Sequence, residues 1–214
     1  MLWLLIPSGF LLGSIPFGLL LGKLKGVDIR EHGSGNIGAT NVFRTLGKKS
    51  GILCLFLDFC KGFIPVMIAD HLVSAGTLGQ SIEVGTALAA ILGHNYSPWI
   101  GFKGGKGIAT SAGALGALMP PIALVVVVLI FVIVTFTTKY VSVGSIVAAI
   151  ALPILTLYGS YHHGKIADGT WNIPLFIFTL IAGILAVWKH RTNITRLRAG
   201  TENKIGQRKK EATS

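Results

Sequence analysis

Three polar segments of the sequence combine glycine with asparagine, serine and basic residues, and each could bind an anion. The first runs from Gly33 to Asn41 and is followed by Arg44. Small residues let backbone N–H groups approach an anion, and a guanidinium can bind phosphate through two parallel hydrogen bonds. The candidate binding residues in this segment are Ser34, Gly35, Asn36, Gly38, Asn41 and Arg44. A simple glycine-rich turn has a similar composition and is the alternative interpretation.

The second segment begins with Gly93, His94 and Asn95 and continues from Phe102 to Thr110. Its glycines and lysines directly precede an apolar run, which is the arrangement expected for phosphate bound at a helix N-terminus. A nucleotide-binding loop would have Ser or Thr at position 108 to hold magnesium, so the isoleucine there disfavours an ATPase. The candidate binding residues are Asn95, Lys103, Gly104, Gly105, Lys106 and Gly107, and His94 is a candidate catalytic residue. The alternative interpretation is that both lysines only extend to the polar membrane surface. That interpretation would not explain why so many glycines lie beside them.

The third segment runs from Lys189 to Glu202 and follows the last apolar run. His190, Asn193 and Arg196 are three residues apart, which places them on one face if the last helix continues. The candidate catalytic residues here are His190, Asn193 and Glu202, and Arg196 is a candidate for substrate binding. Some basic residues directly after a membrane span serve only to fix the topology.

Two charged residues, Asp58 and Lys61, fall inside an apolar run. Their spacing lets the side chains meet on one helix face. Ionisable residues in a bilayer are costly and suggest a functional site by default, but the pair could equally neutralise itself and brace the helix. Both interpretations stay open. Isolated histidines elsewhere lack metal-ligand spacing, so we predict no metal site.

The composition indicates that a membrane protein carries these segments. Of 214 residues, 51% are hydrophobic and 13% are charged, and the mean hydropathy is +0.69. Soluble domains have roughly 25% charged residues, so this chain lacks the polar side chains to cover a globule in water. The net charge of +11 could favour nucleic acid, anionic lipid, a phosphorylated substrate or membrane topology. We expect no nucleic-acid partner, because the charge is better explained by orientation and a phosphate site.

The apolar runs predict an all-α integral membrane protein with seven transmembrane helices. The runs are Leu2–Gly22, Gly51–Ala69, Ile82–Gly93 with Tyr96–Ile100, Gly107–Thr138, Val141–Tyr158 and Trp171–Trp188. The fourth run is too long for one span of about 20 residues, so we divide it at Pro120-Pro121, which leaves a short helix at about 107–119. We predict a single polytopic membrane domain over 1–202 and a basic cytoplasmic tail over 203–214.

The basic residues also predict the orientation. Connectors rich in Lys and Arg face the cytoplasm, and residues 70–81 contain neither. This places the N-terminus outside and the C-terminus in the cytoplasm, which requires an odd number of spans. All three polar segments then lie on the cytoplasmic side.

Together, the three segments resemble the PlsY family of bacterial acyl-phosphate:glycerol-3-phosphate acyltransferases. The similarity rests on GSGNIGATNVFR at 33–44, GHNYSPWIGFKGGKGIAT at 93–110 and KHRTNITRLRAGTE at 189–202, and DFCKG at 58–62 is similar as well. It implies that a fatty acyl group moves from acyl phosphate to the 1-hydroxyl of sn-glycerol 3-phosphate. The products would be lysophosphatidic acid and phosphate, in the first acylation step of bacterial phospholipid synthesis. The resemblance implies no cofactor, neither nucleotide nor metal, and no thioester.

The resemblance also implies roles for individual residues. Glycerol 3-phosphate would be held by Ser34, Arg44, Lys103, His190 and Asn193. The glycine-rich turns would accept the acyl phosphate, with Asn36, Asn41, His94, Asn95 and Lys106 nearby. Glu202 matches a functionally important position whose role stays open.

The chemistry that these residues would perform is direct acyl transfer without an acyl-enzyme. The general base stays open among His190, His94 and an oxygen of the substrate phosphate. We expect a monomer in the bacterial inner, or cytoplasmic, membrane, in contact with membrane lipids, with its active site on the cytoplasmic side.

A secondary transporter of phosphorylated solutes is the alternative from another class, because broken helices facing an anion also occur there. No inverted repeat is evident, and the motif residues lie on one side of the membrane rather than at its midplane. A lipid-binding scaffold would need basic residues but not the patterned glycines and asparagines.

Overall fold

The computed structural model of the protein describes residues 1–74 and 76–206, and throughout these ranges the regular structure is helical. The α-helices are α1 (Leu5–Gly13), α2 (Phe17–Lys23), α3 (Ala39–Leu46), α4 (Lys48–Leu72), α5 (Thr77–Asn95), α6 (Ile108–Leu118), α7 (Pro121–Thr138), α8 (Val141–His162), α9 (Ile173–Lys189) and α10 (Arg191–Arg198). Single 3-10 turns occur at Leu2–Leu4 and Pro98–Ile100. The predicted basic tail lies outside the described residues from residue 207 onward.

The all-helical membrane fold that the composition predicts is confirmed. Four helical stretches are long and apolar enough to cross a bilayer, namely Leu2–Lys23, Lys48–Leu72, Pro121–Thr138 and Val141–His162. A fifth results if α9 and α10, which are bent by 50° relative to each other, are taken as one span. The count of seven spans and the orientation stay predictions.

The predicted break in the long fourth run is confirmed, because α6 ends at Leu118 and α7 begins at Pro121. At 1.5 Å per residue, the 11 residues of α6 are about 16 Å long, which is half of a hydrocarbon core. The prediction that Tyr96–Ile100 continues the third span is wrong. Helix α5 ends at Asn95, and Pro98, which lacks an N–H group, begins a separate turn.

Helix α4 lies at the centre of the bundle and packs against α6, α5, α3 and α1. The seam between α4 and α6 brings backbone against backbone at two glycines. A Cβ atom on Gly62 would lie 2.0 Å from the carbonyl oxygen of Thr110, and one on Gly113 would lie 2.0 Å from that of Phe59. Glycine therefore allows a close approach that holds the start of α6 firmly on α4.

Helices α7, α8 and α9 form the other side of the bundle, with α7 packed on α8 and α8 on α9. Val125, Leu129 and Ile133 on α7 are about half exposed, as expected for a surface that faces lipid. Because α7 makes few contacts with α6, an apolar groove remains between the helices around α4 and α6 and the group formed by α7, α8 and α9.

Candidate active site

The three polar segments meet at a single cavity of about 150 Å³ at one end of the bundle. Eleven of the residues that the sequence predicts for the site line this cavity: Ser34, Asn36, Gly38, Asn41, Arg44, His94, Lys106, Gly107, His190, Asn193 and Glu202. Segments more than 150 positions apart in the chain thus contribute to one site, as their shared anion-binding character predicts.

In the first segment, Asn41 organises the loop that precedes α3. Its side-chain oxygen accepts a hydrogen bond from the backbone N–H of Ser34 at 2.8 Å. Its amide group donates to the carbonyl oxygens of Ile29, at 2.9 Å, and His32, at 3.1 Å. Asn41 is 1% exposed, so its polar groups are committed to the loop. It positions Ser34 at the cavity rather than offering free groups to a ligand.

Two cations reach the cavity from different segments, Arg44 from the last turn of α3 and Lys106 from the loop before α6. Burial lowers the pKa of Lys106 to about 8, although the carboxylate of Glu202 opposes the shift. The ammonium of Lys106 donates a hydrogen bond of 2.5 Å to the side-chain oxygen of Asn193. The guanidinium of Arg44 reaches the carbonyl oxygen of Asn203 at 3.5 Å. Arg44 and Lys106 therefore offer two cationic groups to an anion in the cavity, although the carboxylate of Glu202 also lies in its lining.

The loop between α5 and α6 folds closely around His94. The backbone N–H of Gly105 donates to the carbonyl oxygen of His94 at 3.0 Å. A Cβ atom on Gly105 would lie 2.1 Å from Nε2 of the His94 ring, so a side chain at this position would displace the imidazole. Gly107 has a φ of 78° and ends the loop as the residue before α6. The positively polarised start of α6 consequently faces the cavity through Gly107 and Ile108.

The structure does not bring Lys103 to the cavity, in contrast to the role that the resemblance implies for it. Gly101 and Phe102 both have positive φ values, of 63° and 61°, and the following Lys103 is exposed at the surface. Lys106, three residues later, takes the place beside the other cation. Five further predicted binding residues lie close to the site but outside its lining: Gly35, Asn95, Gly104, Gly105 and Arg196.

In the third segment, His190 occupies the bend between α9 and α10. The helix does not run on straight, and the predicted single face is replaced by a 50° turn at this residue. Nδ1 of His190 lies 2.7 Å from the carbonyl oxygen of Ala186, which can only accept, so Nδ1 carries the proton and Nε2 is an acceptor. Burial and the nearby Lys106 lower the pKa of His190 to about 4. The imidazole is therefore neutral near pH 7.

Glu202 is 8% exposed and receives three hydrogen bonds. Its Oε1 accepts from Ser142 at 2.9 Å and from Asn193 at 2.6 Å, and its Oε2 accepts from Arg196 at 2.8 Å. Burial raises the pKa of Glu202, but these hydrogen bonds outweigh burial and hold it below its ordinary value. The carboxylate thereby joins the start of α8 to α10 and orients Asn193, which bridges it to Lys106.

The lining also contains residues that sequence reasoning did not assign to the site, among them Ser142, Ser145 and Asp58. Only the carboxylate of Asp58 has a visible signal in the sequence, namely a charge inside an apolar run. Within residues 1–74 and 76–206, no three His, Cys, Asp or Glu side chains are grouped so as to hold a metal ion.

A larger apolar groove of about 480 Å³ adjoins the polar cavity. It runs between α4, α6, α7, α8 and α9. Five residues line both spaces, which therefore share a wall: Leu55, Ile108, Ala109, Phe131 and Ser145. The groove is almost entirely apolar and could accommodate a hydrocarbon chain whose polar end lies among the cations.

The fold and the site define an integral membrane protein in which a polar cavity adjoins an apolar groove. Residues 3–200 match the family model described as glycerol-3-phosphate acyltransferase. The chain belongs to this family and is an acyltransferase, which confirms the resemblance to PlsY.

Curated relatives match over nearly their whole length. The glycerol-3-phosphate acyltransferase of Desulforamulus reducens is 45% identical over 208 residues, which cover 96% of this chain and 96% of the relative. That of Geotalea daltonii is 47% identical over 199 residues, or 93% and 95% of the two chains.

Two crystal structures of PlsY, described as an integral membrane glycerol 3-phosphate acyltransferase, are also similar. The glycerol 3-phosphate form has a TM-score of 0.83 and 40% identity, covering 96% of each chain. The lysophosphatidic acid form has a TM-score of 0.81 and 40% identity, covering 96% of this chain and 95% of that one.

Proposed function

We propose that this protein transfers a fatty acyl group from acyl phosphate to the 1-hydroxyl of sn-glycerol 3-phosphate, yielding lysophosphatidic acid and inorganic phosphate. The observation that carries the proposal is that the polar cavity, with Arg44 and Lys106 in its lining, directly adjoins the apolar groove. A donor with a compact anionic head and a long chain fits this junction, because each part meets surroundings of its own polarity.

The acceptor and the product are supported by the relatives. One PlsY structure is described as a glycerol 3-phosphate form and the other as a lysophosphatidic acid form. The same acceptor fits the present cavity, where Arg44 and Lys106 would hold its phosphate. Asn193 and Ser34 lie in the same lining and would add neutral hydrogen bonds. The neutral His190 would accept a hydrogen bond from a glycerol hydroxyl at Nε2.

Acyl phosphate is an activated donor, because phosphate is a good leaving group. The tasks left to the protein are to align the hydroxyl with the acyl carbon and to stabilise negative charge on the carbonyl oxygen and departing phosphate. The backbone amides at the start of α6 and the ammonium of Lys106 are placed for the second task. We propose direct transfer, so trapping of a covalently acylated protein during turnover would contradict this mechanism.

The choice of donor can be tested with purified protein in detergent. Labelled glycerol 3-phosphate would be offered with palmitoyl phosphate, palmitoyl-coenzyme A or palmitoyl-acyl carrier protein in separate reactions. We expect lysophosphatidic acid and an equal amount of inorganic phosphate from palmitoyl phosphate alone. Product from a thioester and none from palmitoyl phosphate would refute the proposed donor.

We further propose that the protein is a monomer in the inner membrane with its site on the cytoplasmic side. Single cysteines replacing the exposed Lys25 and Lys165, in a background without Cys54 and Cys60, would report the orientation. An impermeant thiol reagent should label Lys165→Cys in intact spheroplasts and Lys25→Cys only after permeabilisation. The reverse pattern would show the opposite orientation. Light scattering in detergent would measure the oligomeric state.

A further inference from the structure

The loop between α5 and α6 presents two large aromatic side chains at the surface of the protein. Trp99 is 64% exposed and Phe102 is 62% exposed. Lys103, the next residue in the chain, is exposed as well. We call these three side chains the loop tip. None of the three lines the polar cavity or the apolar groove, so acyl transfer leaves the loop tip unexplained.

Hydrogen bonds tie this loop to the end of α1. The hydroxyl group of Ser97, which is fully buried, donates a hydrogen bond of 2.6 Å to the carbonyl oxygen of Ser14. The indole N–H of Trp99 donates to the hydroxyl oxygen of Ser14 at 2.7 Å. The polar atom of Trp99 is thus satisfied while its ring stays exposed. The backbone N–H of Phe102 donates to the carbonyl oxygen of Ser97 at 2.9 Å, which closes the loop.

Phe102 adopts a backbone conformation that is unfavourable for a bulky residue. Its φ is 61°, in the left-handed region where an aromatic residue is rarely found. Such conformations persist only where the surrounding structure holds them, and they are concentrated at functional positions. A glycine would adopt this φ without strain, so the exposed aromatic ring is present here at a cost in folding stability.

The length of α5 indicates where the loop tip lies relative to the bilayer. At 1.5 Å per residue, the 19 residues of α5 are about 28 Å long, close to a hydrocarbon core of about 30 Å. The loop begins directly after α5 ends at Asn95. Tryptophan is enriched at this level of a membrane, where its ring lies among the lipid headgroups. We therefore expect the loop tip to lie at the polar surface of the bilayer.

Lys103 gives the loop tip a positive charge. Among the residues that the structure describes, no carboxylate forms an ion pair with its ammonium group. An anionic phospholipid complements both parts of the loop tip, because its headgroup meets the ammonium while its acyl chains meet the aromatic rings. An acidic soluble protein would also attract the lysine, but exposed aromatic rings at headgroup level favour the lipid.

We propose that Trp99, Phe102 and Lys103 bind the headgroup region of an anionic phospholipid. The lipid is a ligand of the loop surface and not a substrate, so this inference goes beyond the proposed function and does not depend on it. A bound lipid anchors the loop whose other end brings Lys106 to the cavity.

The fluorescence of Trp99 can report which lipids touch the loop tip. A variant with Trp3, Trp171 and Trp188 replaced by phenylalanine has Trp99 as its single tryptophan. This full-length variant is placed, without substrates, in vesicles of phosphatidylglycerol and phosphatidylcholine in equal amounts. Only one of the two lipids has brominated chains, and bromine quenches a tryptophan that it touches. A variant that keeps only Trp3 is the control, because Trp3 is 58% exposed and has no basic residue near it in the sequence.

We expect phosphatidylglycerol to be preferred over phosphatidylcholine at Trp99 by about fivefold, the strength of one basic residue at an anionic membrane surface. Lys103→Gln should abolish the preference, and Lys103→Arg should retain it. Lys165→Gln, which removes an exposed lysine from the connector between α8 and α9, should leave it unchanged. Trp3 should show no preference. The unfolding temperature of each variant in detergent checks that the fold is intact.

Three results would overturn the proposal. Equal quenching of Trp99 by the two lipids, or a preference that survives Lys103→Gln, would show that the lysine does not select an anionic headgroup. Absence of quenching by either lipid would show that the loop tip lies away from the bilayer. Loss of the preference on addition of inorganic phosphate would show that Lys103 binds a soluble anion instead. Because no substrate is present, failure of the proposed acyl transfer would leave this test unaffected.

Discussion

Replacement of Ala112 by leucine should make the protein selective for short acyl chains. Ala112 lines the apolar groove one turn of α6 beyond Ile108, which also lines the polar cavity. At 1.5 Å per residue, the substitution lies about 6 Å along the groove from Ile108, and we place the acyl carbon beside Ile108 because the backbone amides there would stabilise its carbonyl oxygen. A leucine there would occupy space that only a longer chain needs.

The size of the effect follows from the chain that the leucine displaces. Leucine is larger than alanine by about three methylene-sized groups, and each methylene withdrawn from an apolar site costs about 0.8 kcal/mol. Displacement of three therefore costs roughly 2.4 kcal/mol, or about 50-fold in kcat/KM for a long-chain donor. A chain that ends before Ala112 should lose almost nothing.

The assay compares kcat/KM for hexadecanoyl phosphate and butanoyl phosphate in the wild type and in Ala112→Leu. Val125→Phe is the matched control, because it adds a similar bulk on α7 at a position that is 49% exposed and outside the groove. The ratio of the two donors should change about 50-fold in the first variant and stay constant in the control. Equal loss for both chain lengths in Ala112→Leu would show that the acyl chain does not lie in this groove.

Three other substitutions test the cavity. Because the pKa of Lys106 is lowered to about 8, its positive charge is present below that pH and lost above it. The KM for glycerol 3-phosphate should therefore rise above pH 8. The substitution Lys106→Arg should move this rise to higher pH. Gly105→Ala should abolish activity, since its Cβ would lie 2.1 Å from Nε2 of His94, whereas Gly159→Ala, with open space around it, should have wild-type kinetics. Glu202→Gln should lower the unfolding temperature in detergent. One of the three donors, Ser142, Asn193 or Arg196, would lose its acceptor at a cost of about 1–3 kcal/mol. An unchanged unfolding temperature would show that this carboxylate does not join α8 to α10.

The fold could be predicted from the sequence where hydropathy and proline act locally. The break between α6 and α7 follows from Pro120-Pro121, and the apolar runs mark the long helices. Helices α3 and α10 fall in polar segments outside the apolar runs. Both are only eight residues long and lie at the polar end of the bundle, so no long apolar run marks them.

The sequence predicts which residue types form the candidate site, but it does not predict which individual side chains enter the cavity. Lys103 and Lys106 are both lysines flanked by glycine, yet Lys103, which follows two residues with positive φ, is exposed, whereas Lys106 lines the cavity. Asn41 and Glu202 are polar residues in candidate binding segments, so the sequence favours contact with a ligand. In the structure, Asn41 bonds to the backbone of its own loop, and Glu202 accepts a hydrogen bond from Ser142 on a neighbouring helix. The approach of Asp58 to His94 requires α4 and α5 to pack, and no local pattern contains that contact.

The glycine seam between α4 and α6 makes α6 a rigid wall of the site. Gly62 and Gly113 bring main chain against main chain, so α6 has no compressible side chains there on which to slide. The loop before α6 is anchored as well, because the backbone N–H of Gly105 donates to the carbonyl oxygen of His94 at 3.0 Å. Main-chain contacts therefore fix this wall at both places, and we expect turnover to be insensitive to the lateral pressure of the surrounding lipid.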